Sequence, residues 1–135
     1  SAVRHVPFVD EFCAWLVHRA DKNNMTNFYF DVGYNIFAVK KQNFNVALFY
    51  LQKGLDTNPL HKGILFGNCI VNFLTGNYSK SIESGNSYLQ GHGENAEMYY
   101  YVGNSQIRNG QQQQGLENIE KAYQLNPELR NRKLN

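Results

Sequence analysis

Histidine, cysteine and serine are the residue types of this 135-residue chain that could carry out chemistry. A metal site needs ligands at short spacing, but His5, His18, His61 and His92 have no His or Cys partner two to four positions away. Nucleophilic catalysis needs serine, histidine and an acid joined by a spaced signature, such as a nucleophile elbow, and none is present. The sequence therefore predicts no enzymatic activity, no metal and no other cofactor.

Two further features could be mistaken for chemistry. The stretch GHGEN at 91–95 looks like a phosphate loop, but it lacks the following Lys-Ser/Thr, and it is predicted to be a turn. Cys13 and Cys69 lie far apart in sequence, so they do not form a disulfide framework. Both are predicted to be small buried hydrophobic residues, and a reactive thiol is the alternative.

The composition indicates one folded, helical domain. Apolar residues make up 42% of the chain and aromatic residues 14%, which is enough to build a core. Only three prolines occur and period-2 alternation is scarce, so an all-α fold is expected. The net charge of +2 without a long basic run disfavours nucleic-acid binding, and no apolar segment approaches the length of a membrane span. The expected compartment is the cytoplasm.

The sequence repeats with a regular period of about 34 residues, a length typical of helical repeat arrays. Pro59 and Pro127 are separated by two such periods, and Gly93 lies midway between them. Two sets of positions follow the same step, one mostly bulky and one small: Phe44, Tyr78 and Gln112, then Ala47, Ser81 and Gly115. A step that several positions share indicates repeated structural units.

These residues give the chain a resemblance to the tetratricopeptide repeat (TPR) family, whose unit is a helix–turn–helix of about 34 residues. The best match is the unit at 96–129, through Tyr99, Val102-Gly103, Gly115, Ile119, Ala122 and Pro127. The resemblance implies a single all-α domain of antiparallel hairpins stacked in a right-handed superhelix. Its repeats would be 28–61, 62–95 and 96–129. Residues 130–135 would begin a truncated C-terminal segment.

The units depart from the family pattern in places. The first has Asn35 where Gly or Ala is usual. The second has Gly85, Tyr88 and Gly93 where an aromatic residue, Ala and Pro are expected, so its second helix is predicted to be the least stable, or bent. The segment 1–27 is predicted to hold a helix like the second helix of an earlier unit, because Cys13, Val17 and Ala20 match Ala47, Leu51 and Gly54 in order.

Gly103 and Gly115 lie inside predicted helices, where each costs about 1 kcal/mol relative to alanine. Helix axes approach closely only where side chains are small. The two glycines are therefore predicted to lie where the helices of the last hairpin cross. The alternative is that they mark loops.

The resemblance also implies a concave groove formed by the first helix of each unit. In the first unit the groove residues would be Tyr29, Val32, Ile36, Val39 and Lys40. The second would contribute Gly63, Phe66, Ile70, Phe73 and Leu74, and the third Glu97, Tyr100, Asn104, Ile107 and Arg108. An exposed apolar surface of this size would bind an extended peptide or an amphipathic helix. Alternatively, these residues are core, or the chain's own N-terminal segment covers them.

The implied function is a non-catalytic protein–protein interaction module with an apolar or amphipathic partner. An anionic tail is disfavoured, because the positions of the family's cationic clamp hold Val32, Ile36, Gly67, Tyr101 and Ser105. Two alternatives remain open: an element of self-association or assembly within a larger TPR protein, and a chaperone of the bacterial type III secretion kind.

Overall fold

The structure is a computed structural model, and it describes residues 22–134. The predicted N-terminal helix with Cys13, Val17 and Ala20 lies outside these residues, and only positions 22–27 of the predicted 1–27 segment are among them. Within 22–134 the chain is helical and contains no strand, which confirms the all-α prediction for this part.

From residue 22 to residue 134, six helices and one short 3-10 helix follow one another with short connections. Residues 22–30 are α-helical and Asp31–Lys40 continue them as a π-helix; we call this run α1. The α-helices that follow it are α2 (Phe44–Thr57), α3 (Lys62–Leu74), α4 (Tyr78–His92), α5 (Ala96–Arg108) and α6 (Gln112–Leu125). A 3-10 helix spans Pro127–Asn131.

Each helix packs against the next one along the chain, and α3 also contacts α1 and α5. The first core cluster lies among α1, α2 and α3 and includes Leu51, Ile64 and Val71. The second extends from α3 to the 3-10 helix and includes Met98 and Leu129. Because α3 contributes to both clusters, it joins the two halves of the described chain.

The connections within the hairpins recur at the sequence period. Gln42, Gly76 and Gly110 occupy equivalent positions in successive units, and all have positive φ, at 51°, 82° and 87°. This left-handed conformation favours glycine, which has no Cβ to clash with the following carbonyl. Gln42 is the exception among the three, so the first hairpin adopts the same turn at a steric cost.

The starts of α3 and α5 are capped at equivalent positions. The His61 ring nitrogen Nδ1 accepts a hydrogen bond from the Ile64 N–H at 3.2 Å. The Asn95 carbonyl oxygen Oδ1 accepts one from the Met98 N–H at 3.1 Å. Both bonds satisfy a backbone donor that the first turn of a helix leaves unpaired.

The close crossing predicted for Gly103 and Gly115 is confirmed. A Cβ added to Gly103 would lie 2.7 Å from the carbonyl oxygen of Gly115, and a Cβ added to Gly115 would lie 2.5 Å from that of Gly103. Both residues are buried within α5 and α6, so the alternative that they mark loops is wrong. The backbones touch here because neither helix has a side chain at the contact.

The first hairpin reaches its crossing with a different residue from the one the register predicts. Asn35 is exposed and donates a hydrogen bond to Asp31. Gly33 is buried instead, and a Cβ added to it would lie 3.2 Å from the carbonyl oxygen of Ala47. The π-helix explains the shift, since its i→i+5 hydrogen bonds give wider turns than an α-helix and move the inward-facing position.

The second helix of the middle unit, α4, runs unbroken from Tyr78 to His92. Gly85 is buried, and a Cβ there would overlap the side chain of Val102 and lie 2.9 Å from the Cys69 sulfur. Glycine therefore lets α5 approach α4 where an aromatic residue was expected. That α4 is the least stable helix stays a prediction.

Candidate functional site

The residues predicted to line the groove on α1 lie at least partly at the surface. Ile36, Val39 and Lys40 are exposed, and Tyr29 and Val32 are half-buried. This end of the predicted groove therefore offers apolar surface to solvent.

On α3 and α5, three of the predicted groove residues are buried in the chain itself. Ile70 is 8% exposed, Phe73 2% and Tyr100 3%, so they are core residues, as the alternative interpretation held. Neighbouring aromatic and cationic side chains cover two of them. Tyr78, Tyr101 and the Arg108 guanidinium surround Phe73, while Tyr123 and the Arg132 guanidinium lie against Tyr100.

The other predicted groove residues of α3 and α5 do not form a continuous apolar strip. Phe66 is half-buried between Tyr34 and Tyr88. Asn104 donates from Nδ2 to the carbonyl oxygen of Tyr100 at 2.8 Å. The rest vary in exposure: Gly63, Glu97 and Ile107 are half-buried, whereas Leu74 and Arg108 are exposed.

Glu97 is engaged in an ion pair. The two guanidinium nitrogens of Arg132 donate to its two carboxylate oxygens at 2.6 and 2.7 Å. Arg132 also donates to the Tyr101 hydroxyl at 3.4 Å. The bonded carboxylate raises the pKa of Arg132, and burial raises the pKa of Tyr101. This cluster fastens the segment after the 3-10 helix to α5, so Glu97 is not a free contact for a partner.

A cleft of about 600 Å³ lies between α2 and α4, and α3 forms its floor. Its α2 wall includes the half-buried Leu48 and Leu55 and the exposed Phe49. Its volume lies within the range of about 300–1000 Å³ that is usual for ligand sites. None of the predicted groove residues lines this cleft.

Two asparagines form the polar floor of the cleft. Asn68 is 4% exposed and Asn72 is 3% exposed, and they lie one turn apart on α3. Asn72 Nδ2 donates to the backbone carbonyl oxygen of Asn68 at 2.8 Å and also to Asn68 Oδ1. Each of these two buried amide groups therefore has a protein partner, as buried polar side chains require.

The rim of the cleft carries charges of both signs. Lys53 and Asp56 project from α2, and Lys80 and Glu83 from α4, and all four side chains are exposed. The salt bridges found among the described residues, Arg130–Glu120 and Arg132–Glu97, do not involve them. Lys53 instead lies 5.0 Å from the centre of the Phe49 ring. The rim therefore carries two cations and two anions, and none of the four takes part in an ion pair found among the described residues.

The sequence interpretation missed Asn68 and Asn72. A signal was present, because the pair are polar residues four apart in the otherwise apolar helix KGILFGNCIVNFL. The equivalent positions in the next unit, one sequence period later, hold Val102 and Gln106. Because polar side chains at core positions need partners, such a pair is a reason to look for a polar site.

Cys69 is a small buried residue, as predicted. Its sulfur lies 3.5 Å from Ser81 Oγ, and burial raises the pKa of its thiol to about 12. A thiol that remains protonated at neutral pH is a poor nucleophile, which argues against the reactive alternative. Cys13 lies outside the described residues.

In comparisons with known proteins, no family model and no curated protein matches this chain. None of the helices between residues 22 and 134 combines the length and the apolar character needed to cross a membrane. Over the same residues, no group of three or more His, Cys, Asp or Glu side chains is placed to hold a metal ion.

Proposed function

We propose that this chain is a TPR-like repeat module that binds a segment of another protein without catalysis. The equal spacing of the hairpins supports the repeat assignment. Helices α3 and α5 begin one sequence period apart, at Lys62 and Ala96, and the three positive-φ turns keep the same interval. Contacts of α3 with both α1 and α5 are those expected when the first helices of successive units stack into a superhelix.

The observation that carries the proposed function is the cleft between α2 and α4. It combines apolar walls, a polar floor and a rim of mixed charge, which is the composition of a site for an amphipathic polypeptide. The predicted partner class is retained, but the proposed site moves from the first helices of the units to this cleft. Burial of Ile70, Phe73 and Tyr100 leaves the predicted groove with little apolar surface beyond α1.

A peptide selection tests this proposal. Short random peptides displayed on phage would be selected on the wild-type protein, and their affinities measured by fluorescence anisotropy. Phe49→Glu places a charge in the cleft, while Phe28→Glu places one on α1; the two phenylalanines are 56% and 51% exposed, so neither change disturbs the core. We expect Phe49→Glu to weaken binding at least about tenfold and Phe28→Glu to leave it unchanged.

A third variant, Val39→Glu, reports on the groove predicted from sequence. If the selected peptides lose affinity for Val39→Glu and not for Phe49→Glu, binding is on the α1 face and the cleft assignment is wrong. If selection yields no specific peptide, the proposed function itself is contradicted.

Self-association is a second candidate function, and the exposed apolar residues Ile36, Val39 and Leu74 favour it. Their side chains lie at the ends of α1 and α3 that lead into the hairpin turns. Light scattering after size exclusion tests this candidate: a monomer whose mass does not change with concentration would count against it.

A further inference from the structure

We propose that Asn68 and Asn72 bind the backbone N–H and C=O of one residue of an extended partner segment that lies along the cleft between α2 and α4. This inference rests on the proposed function and specifies the chemistry of the partner. It is carried by the hydrogen-bonding capacity that the two asparagines retain.

Each asparagine has one polar group without a protein partner among residues 22–134. The amino group of Asn72 is used in donating to Asn68, and Asn68 Oδ1 is used in accepting from it. Asn68 Nδ2 and Asn72 Oδ1 remain. Because no fully buried side-chain nitrogen or oxygen of the described residues lacks a partner, these two atoms are accessible to solvent, and both residues line the cleft.

The floor of the cleft thus offers one donor and one acceptor from the same helix face. In an extended chain, the N–H and C=O of one residue point to the same side and form the complementary pair, a donor and an acceptor. A carboxylate could use only the Asn68 donor, and an ammonium group only the Asn72 acceptor. Since a ligand that covers the floor must satisfy both groups or leave one unpaired at a cost, an extended backbone is favoured over either ion.

The length of the cleft fits an extended segment of about five residues. Its α2 wall runs from Asn45 to Asp56, which at about 1.5 Å per residue is roughly 16 Å. An extended chain advances about 3.3 Å per residue, and its alternate side chains point to the same side. One set of side chains could therefore contact Leu48, Phe49 and Leu55 while the N–H and C=O of one residue face the asparagines.

The rim charges limit the sequence of the partner. Lys53 and Lys80 would attract an acidic side chain, and Asp56 and Glu83 a basic one. A strongly acidic or strongly basic segment would meet two like charges, which disfavours it. The occupant is thus a segment of another protein with apolar residues at its centre and flanking charges of both signs.

Backbone substitution in a selected peptide tests the inference. Each amide of the peptide would be replaced in turn by an ester, which removes one N–H donor and keeps the side chain. We expect one position to weaken binding to the wild type about tenfold, since a single hydrogen bond to a buried group is lost. With Asn72→Leu, which removes the acceptor, the same replacement should change the affinity less than about twofold.

Asn104→Leu is the matched control, because Asn104 makes the same bond to the carbonyl four residues earlier but lies outside the cleft. It should keep the full ester effect. If Asn72→Leu does not fold, Asn72→Ala serves, since Ala38 occupies the corresponding position one unit earlier.

Two outcomes overturn the inference while leaving the proposed function standing. One is a peptide that competes for the cleft but shows no ester-sensitive position. The other is an ester effect that persists in the Asn72 variant, which would place the sensitive N–H elsewhere. A selection that yields no peptide would instead overturn the proposed function, so the two failures are distinguishable.

Discussion

The crossing of α5 with α6 and the crossing of α3 with α4 occupy the same register positions but are built differently. At the first, Gly103 and Gly115 bring two backbones into contact. At the second, Cys69 and Ser81 stand between the helices, and Ser81 Oγ donates to the Cys69 carbonyl oxygen at 2.7 Å. The glycine crossing is limited by space, whereas the middle crossing depends on hydrogen bonds.

In the same two hairpins, the polar residue one turn further along the first helix has a different hydrogen-bond partner. Gln106 on α5 accepts a hydrogen bond from Asn118 of α6 at 2.7 Å. Its counterpart on α3, Asn72, bonds to Asn68 of its own helix and keeps its oxygen available. At this position the third hairpin is held by a bond between its two helices, whereas the bond in the middle hairpin lies within α3.

The largest expected effect comes from adding a methyl group at the glycine crossing. Gly115→Ala should destabilise the protein by about 2 kcal/mol or more, because the new Cβ meets the backbone oxygen of Gly103 and overpacking outweighs the gain in helix propensity. Gly91→Ala on α4 is the control. No atom lies within 4 Å of a Cβ there, so it should stabilise by up to about 1 kcal/mol. Urea denaturation measures both, and equal effects would contradict the account of the crossing.

The middle crossing should respond to the loss of a hydroxyl group instead. Ser81→Ala removes the donor to Cys69 and the acceptor that Ser105 Oγ uses at 2.9 Å, leaving buried groups unpaired. A loss of about 1–2 kcal/mol in the free energy of unfolding is expected. Ser79→Ala, at an exposed position of the same helix, should change it by less than about 0.5 kcal/mol. A Ser81 variant as stable as the wild type would show that these bonds do not hold the crossing.

A smaller effect, of opposite sign, is expected at the turn of the first hairpin. Gln42→Gly should stabilise the protein by about 0.5–1 kcal/mol, because glycine adopts the positive φ without strain. Gly76→Gln makes the reverse change in the middle hairpin and should destabilise it. Thermal unfolding of the two variants measures the difference, and a Gln42→Gly variant that melts below the wild type would contradict it.

The smallest effect concerns pH and the cap of α3. Burial, with a contribution from His92, lowers the pKa of His61. The unfolded chain therefore binds a proton at His61 more readily than the folded chain does. The free energy of unfolding has its full value above about pH 6.5, the usual pKa of histidine, and decreases as the pH falls from there through the lower pKa of the folded state. Protonation would also remove the acceptor for the Ile64 N–H.

His61→Asn tests this, because Asn95 caps α5 at the equivalent position without titrating. Melting temperatures at about pH 7.5 and about pH 5 should differ less for the variant than for the wild type. The same acid sensitivity in both proteins would place the titration on another group.

The period of the sequence predicted much of the fold. Pro59, Pro127 and the small residues that recur at this period predicted the hairpins, and the Gly103–Gly115 contact follows from them, because a repeated small residue inside a helix indicates a close neighbour. Gly33 could not be predicted to replace Asn35, since the register assumes α-helical turns throughout.

The candidate site was not predictable in the same way. A periodic pattern gives the face of a helix on which a residue lies but not whether a side chain from another element covers it. Arg108 over Phe73 and Arg132 over Tyr100 are contacts of this kind. The cleft depends on a gap between α2 and α4, and their spacing is set by packing on α3.

An NMR titration tests the central claim most directly. The side-chain amide groups of Asn68 and Asn72 give their own signals in a nitrogen-15 correlation spectrum, so a selected peptide can be followed at the floor of the cleft. Binding in the cleft predicts that these two signals shift together with backbone signals of α2 and α4. Shifts confined to α1 and α5, with both asparagine signals unchanged, would contradict it.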